Sequence, residues 1–444
     1  MTLDSSGSSH QDQTATVIGG GIAGLSAALL LSRSGCKVDL YERDQQLGGL
    51  LAPIMHDGLP LDRGSHRVHP EAHPLLVELT RDAQWQFKDR CGQLVLNGRH
   101  LNYPLDPLSF LRGLGLKTTL SMGLGWLTRP QALKRTFRWE SDRREMTEDE
   151  GFETFVVRRV GRAAYSQFYE PYARKVWGID PNDLSQTVAK QRVSTSNPAS
   201  SILRKTERRF LYPEKGMGSL IDHLHEQLDK EGVALRTGTP LLGNAIPDGP
   251  IFHTGHLHDL VIDSTLDHRG LYLLHVTVAD TQLKATDTWY TPETRYWFGR
   301  VSQPALFSPQ LCNPNERILC IEIPEGKWGT QRNFCADIET VMEQLFEAGI
   351  TLKRTEAIKV QQTFIPRVYP MYVRGWFHEQ RRVLKAVAEQ GPIFPCGRQG
   401  LFLHCNMDQA VATSAAAVEH WLGGGNSLEW AKHCETFADF RVRD

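Results

Sequence analysis

The sequence of 444 residues has no excess of either charge, with 50 lysines and arginines against 51 aspartates and glutamates. That balance does not predict a basic surface for nucleic acid. The eight cysteines form no C-x-x-C pair and no zinc-ligand spacing, so we predict free thiols and no metal site. Residues 1–13 have neither a basic nor an apolar signal region, which predicts a disordered tail and a cytoplasmic protein.

Uninterrupted apolar runs long enough to span a membrane are also missing. The longest candidate, residues 108–127, contains Arg112, Lys117 and four glycines. A basic stretch with interleaved aromatic residues follows over residues 129–144. We interpret this stretch as a solvated helix face, and peripheral contact with the inner face of a membrane is the alternative.

What the sequence does contain is a strand, a glycine turn, a helix and a second strand in immediate succession. An apolar stretch is followed by GGGIAG, residues 19–24, which fits G-x-G-x-x-G. We assign Gly19 to the tight turn, Gly21 to close approach of a pyrophosphate and Gly24 to close packing of the helix on the strand. The second strand ends at Glu42, whose carboxylate can accept hydrogen bonds from both ribose hydroxyls. The unit therefore predicts a dinucleotide site.

Features of a nucleotide-binding domain recur in the middle and at the end of the chain. A glycine turn and an amphipathic helix occupy residues 213–230, strands follow from Val233 and at residues 258–264, and an alanine-rich helix begins near Asp408. This order predicts an α/β fold in which a Rossmann-like domain is discontinuous and a second, substrate-binding domain is inserted into it.

The inserted domain is predicted to combine helices with a mostly antiparallel sheet. Its first block looks helical, whereas the second carries apolar stretches such as LYLLHVTVAD, which predict an antiparallel sheet with one face buried. The predicted boundaries are 1–13 for the tail, 14–80, 210–265 and 390–424 for the nucleotide domain, 81–209 and 266–389 for the substrate domain, and 425–444 for a C-terminal extension.

Several stretches resemble the superfamily of flavin-dependent amine oxidases, protoporphyrinogen oxidases, phytoene desaturases and UDP-galactopyranose mutases. They are the opening unit with YERDQQLGGL, then DRGSHRVHP, FYEPYARKVWGIDPNDLSQTVAKQR, FLYPEKGMGSLIDHL, YWFGRVSQPALFS, YPMYVRGW and CGRQGLFLHCNMDQA. The resemblance runs from Thr16 to Leu422 and implies FAD bound at the glycine turn. The residues it implies around the FAD are Gly19, Gly21, Ile22, Ala23, Gly24, Glu42, Arg43, Gly49, Leu50, Gly64, Ser65, His66, Val233, Gly397, Arg398, Met407 and Asp408.

The resemblance also implies particular roles. Val233 would meet the adenine through its backbone, and Gly397 and Arg398 would lie beside the ribityl phosphate. The helix near Met407 would point its N-terminus at the flavin ring, where negative charge gathers on reduction. Because Cys405 does not match the covalent-flavin context of the family, we predict that FAD is bound non-covalently.

The sequence shows no evident Ser-His-Asp or paired-carboxylate arrangement, and the resemblance leaves three functions open. We favour an oxidoreductase, similar to protoporphyrinogen oxidase or amine oxidase, that takes a hydride from a small organic substrate onto flavin N5 and uses O2, a quinone or another electron acceptor. The alternatives are a nucleotide-sugar mutase without net redox change and a flavinless binding protein of the same fold. The candidate catalytic residues are His66, Arg192, Arg300, Tyr369, Tyr372 and Arg398.

Overall fold

The computed structural model describes residues 13–103, 120–121, 123–125, 150–192, 209–241, 248–279, 282–440 and 442. Its strands are β1 Thr14–Ile18, β2 Lys37–Tyr41, β3 Ile54–His56, β4 Leu59–Leu61, β5 Trp85–Asp89, β6 Gly92–Leu96, β7 Arg99–Tyr103, β8 Arg209–Pro213, β9 Ala234–Arg236, β10 Ile251–His253, β11 His268–Ala279, β12 Thr288–Tyr290, β13 Arg300–Ser302, β14 Glu316–Pro324, β15 Lys359–Pro370 and β16 Ile393–Pro395. Its helices are α1 Ile22–Arg33, α2 Pro74–Leu79, α3 Phe152–Val160, α4 Arg162–Ala164, α5 Glu170–Trp177, α6 Gln186–Arg192, α7 Gly218–Lys230, α8 Pro304–Phe307, α9 Ile338–Glu347, α10 Trp376–Glu389, α11 Gly397–Gly400, α12 Met407–Leu422 and α13 Ser427–Cys434.

The first sheet has five parallel strands in the order β16-β10-β1-β2-β9. These strands come from the start, the middle and the end of the chain. Helix α1 follows β1 directly and packs against both α7 and α12. A strand that leads straight into a helix of this kind places the turn between them at the carboxyl edge of the sheet, where nucleotides bind in open α/β folds. The predicted α/β class is confirmed.

The prediction of a strand at residues 258–264 is wrong. The strand that pairs with β1 is β10, which lies earlier in the chain, where Ile251 and Phe252 pair with residues of β1. Residues 257–260 form a short 3-10 helix instead, and the side chain of Ile262 is fully exposed. A buried strand of only three residues offers no period that a sequence pattern can detect.

The second sheet has seven strands in the order β15-β11-β14-β13-β12-β6-β7, and all pairs are antiparallel except β12 with β6. The prediction of an antiparallel sheet is confirmed, but the expectation of one buried face is wrong. Tyr272 and Leu274 of β11 pack in a cluster with residues of α9, whereas Leu271 and Leu273 pack with Ile54 of the β3–β4 hairpin. Because both faces are covered, β11 is buried along almost its whole length.

The block of residues 81–209 is only partly helical, which corrects a second prediction. Strands β5, β6 and β7 precede its helices, and β6 and β7 form a hairpin at the edge of the second sheet. Asn97 and Gly98 connect these strands with φ of 51° and 71°. An Asn-Gly pair with positive φ at both residues makes the type I′ turn that suits the twist of paired strands.

Most of residues 108–127 and all of residues 129–144 lie outside the described residues, so the two interpretations of the basic stretch stay predictions. Within the described ranges, no helix combines the length and the apolar character that crossing a bilayer requires.

Candidate functional site

The turn between β1 and α1 gives its glycines different surroundings. A Cβ atom on Gly24 would overlap the carbonyl oxygen of Gly19, and a Cβ atom on Gly19 would overlap the Thr254 hydroxyl at a backbone φ of +106°. The fold itself therefore requires these two glycines. A Cβ atom on Gly21 would come no closer than 3.9 Å to the protein atoms around it. Gly21 faces space that a ligand can fill, and its pyrophosphate role stays a prediction that this space permits.

The N-terminus of α1 has the features of an anion-binding site. Gly21 is the N-cap, no described side chain caps the helix, and the first turn holds no acidic residue. The first intrahelical bond runs from Leu25 N–H to Gly21 O, at 3.0 Å. The N–H groups of Ile22, Ala23 and Gly24 therefore have no partner within the helix. Free N–H groups and the positive end of the helix dipole both favour a bound phosphate.

Glu42 lies at the carboxyl end of β2, beside the glycine turn, and only 7% of it is exposed. One carboxylate oxygen accepts a hydrogen bond from Gly20 N–H at 2.6 Å, and the other accepts one from Asp44 N–H at 2.9 Å. These two bonds fix the carboxylate, and each oxygen retains a second lone pair. The geometry permits the predicted hydrogen bonds to ribose hydroxyls.

Gly48 and Gly49, called here the glycine doublet, lie against the same turn. Gly48 N–H donates to Gly20 O at 2.7 Å, and a Cβ atom on Gly49 would lie 3.4 Å from the Cα atom of Gly21. Leu50 packs against the apolar cluster below the second sheet. Arg43 stands apart from this arrangement, since 60% of its side chain is exposed and its nearest ion partner is Asp44 at 3.9 Å.

Helices α11 and α12, from the end of the chain, lie beside the start of α1 and complete the candidate cofactor site, which we call the cradle. A Cβ atom on Gly397 would lie 2.6 Å from the Cβ atom of Ala23, so only glycine lets α11 approach the start of α1 this closely. Helix α12 begins at Met407 with a capping box formed by Asn406 and Gln409. The box leaves the N–H groups of Met407 and Asp408 without intrahelical partners. The carboxylate of Asp408 accepts a hydrogen bond from a backbone N–H of the loop before α2, at 2.9 Å.

The loop after β4 is held by a partly buried ion pair. Arg300 and Glu322 lie opposite each other on β13 and β14 and form a bidentate pair with distances of 2.8 and 2.6 Å. Glu322 also accepts hydrogen bonds from the N–H and the hydroxyl of Ser65, and a Cβ atom on Gly64 would lie 3.2 Å from its carboxylate. The pair thus fixes the loop that carries His66.

His66 is positioned for contact with a ligand. Its Nδ1 atom is buried and has no hydrogen-bond partner among the described residues. Burial lowers the pKa of His66 to about 4; Arg300, Arg398 and Arg63 lower the pKa further, whereas Glu322 raises it. The imidazole is therefore neutral at pH 7. An unpartnered buried nitrogen is uncommon in folded proteins, and a bound group that supplies its partner accounts for it.

The same loop contains Arg63, which the sequence analysis did not single out. Its Nε atom is buried without a hydrogen-bond partner in the described part of the chain, and burial lowers the pKa of its guanidinium. The charge of Asp44 acts in the opposite direction. Arg63 is better placed than the exposed Arg43 to meet a phosphate. Its position beside Gly64 and His66 was the only signal in the sequence.

The two candidate tyrosines, Tyr369 and Tyr372, lie in one aromatic cluster but differ in burial. Trp177 lies 4.9 Å from His404 and 6.0 Å from Tyr369, both in edge-to-face contact. Tyr369 is partly buried at the rim of this cluster. Tyr372 is completely buried, stacks on Trp376 at 3.7 Å and accepts a hydrogen bond from His404 N–H at 2.8 Å. Tyr372 is therefore a core residue, which corrects its assignment as a catalytic candidate.

Arg398 is bound to the protein backbone. Its guanidinium donates to Cys405 O at 2.8 Å and to Val368 O at 3.2 and 3.3 Å, and lies 3.4 Å from Nδ1 of His404. These contacts join β15 to the loop before α12. Arg398 thus shapes the cradle, and its direct contact with a cofactor stays a prediction. The side chain of Arg192 lies outside the described part of the chain.

Val233 is the clearest error in the predicted cofactor site. It precedes β9, whose residue Ala234 pairs with Asp39, so it lies at the amino edge of the parallel sheet. Its N–H donates to Leu228 O at 3.0 Å. The residues beside Glu42 are those at the opposite end of β9, where Thr239 N–H donates to Glu42 O at 2.9 Å. The sequence pattern identified the right strand but the wrong end of it.

The family model of flavin-containing amine oxidoreductases matches residues 22–243, half of the chain. The chain belongs to this family. The match begins at Ile22, within the glycine motif, and covers Gly24, Glu42, Gly48 and Gly49, and the loop of His66. These residues fit a flavin nucleotide as described above. A flavin cofactor and an oxidoreductase fold follow from the membership.

Two curated relatives are protoporphyrinogen oxidases. The chain is 27% identical over 177 residues to protoporphyrinogen oxidase 2, chloroplastic/mitochondrial, of Arabidopsis thaliana, which covers 38% of this chain and 33% of that protein. It is 28% identical over 269 residues to protoporphyrinogen oxidase of Homo sapiens, which covers 52% of this chain and 54% of that protein. The chain therefore spans a third to about half of the length of these relatives.

Solved structures resemble the chain over nearly its whole length. Reduced UDP-galactopyranose mutase superposes with a TM-score of 0.80 at 19% identity, covering 97% of this chain and 99% of that one. Cyclohexylamine oxidase from Brevibacterium oxydans IH-35A superposes with a TM-score of 0.60 at 13% identity, covering 92% and 99%. At these identities the likeness establishes the fold and leaves the reaction open.

Proposed function

We propose that the protein binds FAD non-covalently and oxidises a small organic substrate that carries no diphosphate. Bound FAD would supply the acceptor for a hydride, which leaves a substrate carbon with both electrons of its C–H bond. The protein's own residues orient the two partners and exclude water from between them. A second acceptor, O2 or a quinone, would remove the electrons. The cytoplasmic location stays a prediction from the sequence.

The observation that carries the proposal is that Arg300 and Arg398 are committed to partners within the protein, while we assign Arg63, whose Nε atom has no partner among the described residues, to a phosphate of the FAD. Arg300 is bound in bidentate fashion by Glu322, and Arg398 donates to backbone carbonyl groups. A sugar diphosphate needs arginines that are available for its oxygens. The neighbouring surface is aromatic instead, since partly buried Tyr369 packs edge to face on buried Trp177. These features favour an uncharged substrate.

Neutral His66 supports the same conclusion. Because its pKa is about 4, it carries no charge at pH 7 and adds no attraction for a phosphate. It can accept or donate one hydrogen bond at Nδ1, according to its tautomer. We assign it the role of orienting the flavin ring or the substrate beside the ring.

Non-covalent attachment is supported by the state of the nearest candidate thiol. Cys405 is 4% exposed, and burial raises its pKa to about 12. A covalent bond to flavin requires a reactive thiolate, which a thiol with this pKa does not provide at neutral pH.

The test is an absorbance spectrum of the purified protein, followed by anaerobic addition of a porphyrinogen, a polyene and a panel of amines. We expect an oxidised-flavin spectrum that at least one of these compounds bleaches without any added reductant. A matched sample is reduced with dithionite and mixed with UDP-galactopyranose. If only that sample converts its substrate, the protein is a mutase and the proposal fails. A colourless protein that takes up no added FAD would make it a binding protein.

A further inference from the structure

Three histidines meet where the two sheets join. His256 and His258 follow β10 of the parallel sheet, and His268 is the first residue of β11 in the second sheet. Their ring centroids are 4.8 Å apart for His256 and His268, 5.1 Å for His258 and His268, and 5.5 Å for His256 and His258. One ligand atom of each residue lies within 4.8 Å of the other two.

The hydrogen-bonding capacity of this cluster is largely unused. His268 is 8% exposed, and neither of its ring nitrogens makes a well-formed hydrogen bond with a described residue, although the side chain of Gln399 is close enough to raise its pKa. The Nδ1 atoms of His256 and His258 are likewise buried without a partner there. Most buried polar side-chain atoms in folded proteins are satisfied. Each neutral imidazole carries one lone pair and one N–H group, so the three rings offer three lone pairs to a ligand.

A carboxylate orients one of the rings from behind. Nε2 of His258 lies 3.2 Å from Asp259, which also accepts hydrogen bonds from Arg367 at 2.8 and 3.0 Å. A carboxylate on the far nitrogen of a metal-binding histidine fixes the ring and makes the other nitrogen a better ligand. Here that other nitrogen is the unpartnered Nδ1.

Positive charge near the cluster opposes a cation, and it is partly compensated. Arg398 lowers the pKa of His268, and Arg367 and Arg43 lower the pKa of His256. Arg367 is paired with Asp259, and Arg398 donates to two carbonyl oxygens. The side chain of Gln399 raises the pKa of His268. Its amide oxygen is also buried without a hydrogen-bond partner among the described residues.

We propose that His256, His258 and His268 bind one divalent transition-metal ion of the zinc class, each through one imidazole nitrogen. Three imidazoles form a donor set that suits Zn²⁺, Co²⁺ and Ni²⁺, and the fourth position is open to water. Tetrahedral Zn–N bonds of about 2.0–2.1 Å place ligand atoms about 3.4 Å apart, so the rings close inward by a small rotation. The ion would tie the two sheets together. This inference does not rest on the reaction proposed for the flavin.

The experiment uses the full chain with its flavin, freed of any polyhistidine tag and stripped with EDTA. Zn²⁺ is titrated by calorimetry, and metal is counted by mass spectrometry after desalting. The variants are His258→Ala and His268→Gln. His225→Ala is the matched control, because His225 lies on α7 with 48% of its side chain exposed and pairs with Asp229.

We expect one Zn²⁺ per chain in the parent protein and in His225→Ala. Each cluster variant should bind at least about tenfold more weakly, since changes to the second shell alone cost that much. Zn²⁺ should also raise the melting temperature of the parent and not of the variants. If the parent binds no zinc stoichiometrically, or if both cluster variants retain the parent affinity, the proposal fails. His258→Ala, at the partly exposed member of the cluster, keeps the test valid should His268→Gln not fold.

Discussion

At the scale of single residues, the turn after β1 shows that three glycines of one motif are in different surroundings and serve different purposes. Gly24 is required by contact of helix with strand, and Gly19 by its positive φ and the neighbouring Thr254. Gly21 alone has free space at its Cβ position. A substitution at Gly21 therefore tests the ligand, and a substitution at Gly24 tests the fold.

We expect Gly21→Val to lose flavin while the protein stays folded. Gly21 has φ of −77° and ψ of 176°, an extended conformation that valine adopts readily, and the side chain would enter the space assigned to the pyrophosphate. Flavin content, measured as the ratio of flavin to protein absorbance after gel filtration, should fall at least about tenfold, as a steric block of a phosphate site implies. Normal flavin content in this variant would refute the assignment of the turn.

Gly24→Ala is the matched comparison. Its Cβ atom would overlap the carbonyl oxygen of Gly19, so the helix must shift away from the strand. Overpacking of this kind costs about 1–3 kcal/mol. We expect that loss in urea unfolding of the flavin-free protein, whereas the free energy of unfolding of flavin-free Gly21→Val should be close to that of the parent.

At the scale of elements, the second sheet contacts the loop that carries Ser65 and His66 through one row of side chains. Tyr290, Arg300, Glu322 and Leu273 are register partners on four neighbouring strands, so their side chains share one face. Leu273 packs in the apolar cluster, and Glu322 binds the loop at Ser65. The sheet therefore positions His66 from below, by an ion pair rather than by apolar contact alone.

We expect Glu322→Gln to lower both stability and flavin retention. The substitution leaves the charge of Arg300 without its partner while 29% of the arginine side chain is exposed, so the cost should be about 2 kcal/mol, less than for a fully buried pair. Urea unfolding at pH 7 measures it. The control is Glu343→Gln, whose pair with Arg354 is on the surface and should have no measurable effect. Equal stability of the two variants would show that the Arg300 pair does not hold the loop.

The elements also show which parts of the fold could be predicted from sequence. The β1–α1–β2 unit was predictable because its turn depends on local glycines and its helix on a continuous stretch. The β6–β7 hairpin was missed although Asn97-Gly98 is a strong local signal. Two other errors have a different cause. A strand was predicted at residues 258–264 in place of β10, and the adenine contact was assigned to Val233 in place of the carboxyl end of β9. Pairing in a parallel sheet is set by distant strands, and nothing within a short segment fixes it.

The residues of the candidate sites divide in the same way, into those that local sequence predicts and those that depend on distant strands. Residues adjacent in sequence to the glycine turn could be assigned, because the motif contains its own geometry. Glu322 and the three-histidine cluster could not, since their partners lie on other strands. A carboxylate within the buried stretch RILCIEI and the H-x-H spacing of His256 and His258 were the available signals. The prediction of no metal site rested on the cysteines and did not consider the histidines.

At the scale of the whole molecule, buried histidines make stability depend on pH. Burial lowers the pKa of His66, His253 and His275 to about 4 each. In the unfolded chain their pKa is about 6.5. Between these values the unfolded chain binds more protons than the folded protein, so the free energy of unfolding falls as the pH falls. Asp62 acts in the opposite direction, because burial raises its pKa to about 6.

His66, His253 and His275 against Asp62 leave a net loss on the order of 2 kcal/mol per pH unit between pH 6 and 5, since each group contributes at most about 1.4 kcal/mol per unit. His256 and His268, whose pKa burial lowers to about 3 and about 2, add to this loss when no metal is bound. We expect urea unfolding in EDTA at pH 7.0, 6.0 and 5.0 to show this decline. The variant His275→Leu should flatten it, because His275 is completely buried with both ring nitrogens unpartnered among the described residues. A leucine there removes one titration without leaving a polar group unsatisfied. If stability is constant over this range, or if the variant keeps the parent slope, these histidines are accessible to protons in the folded protein and the sheets are less tightly closed than their burial indicates.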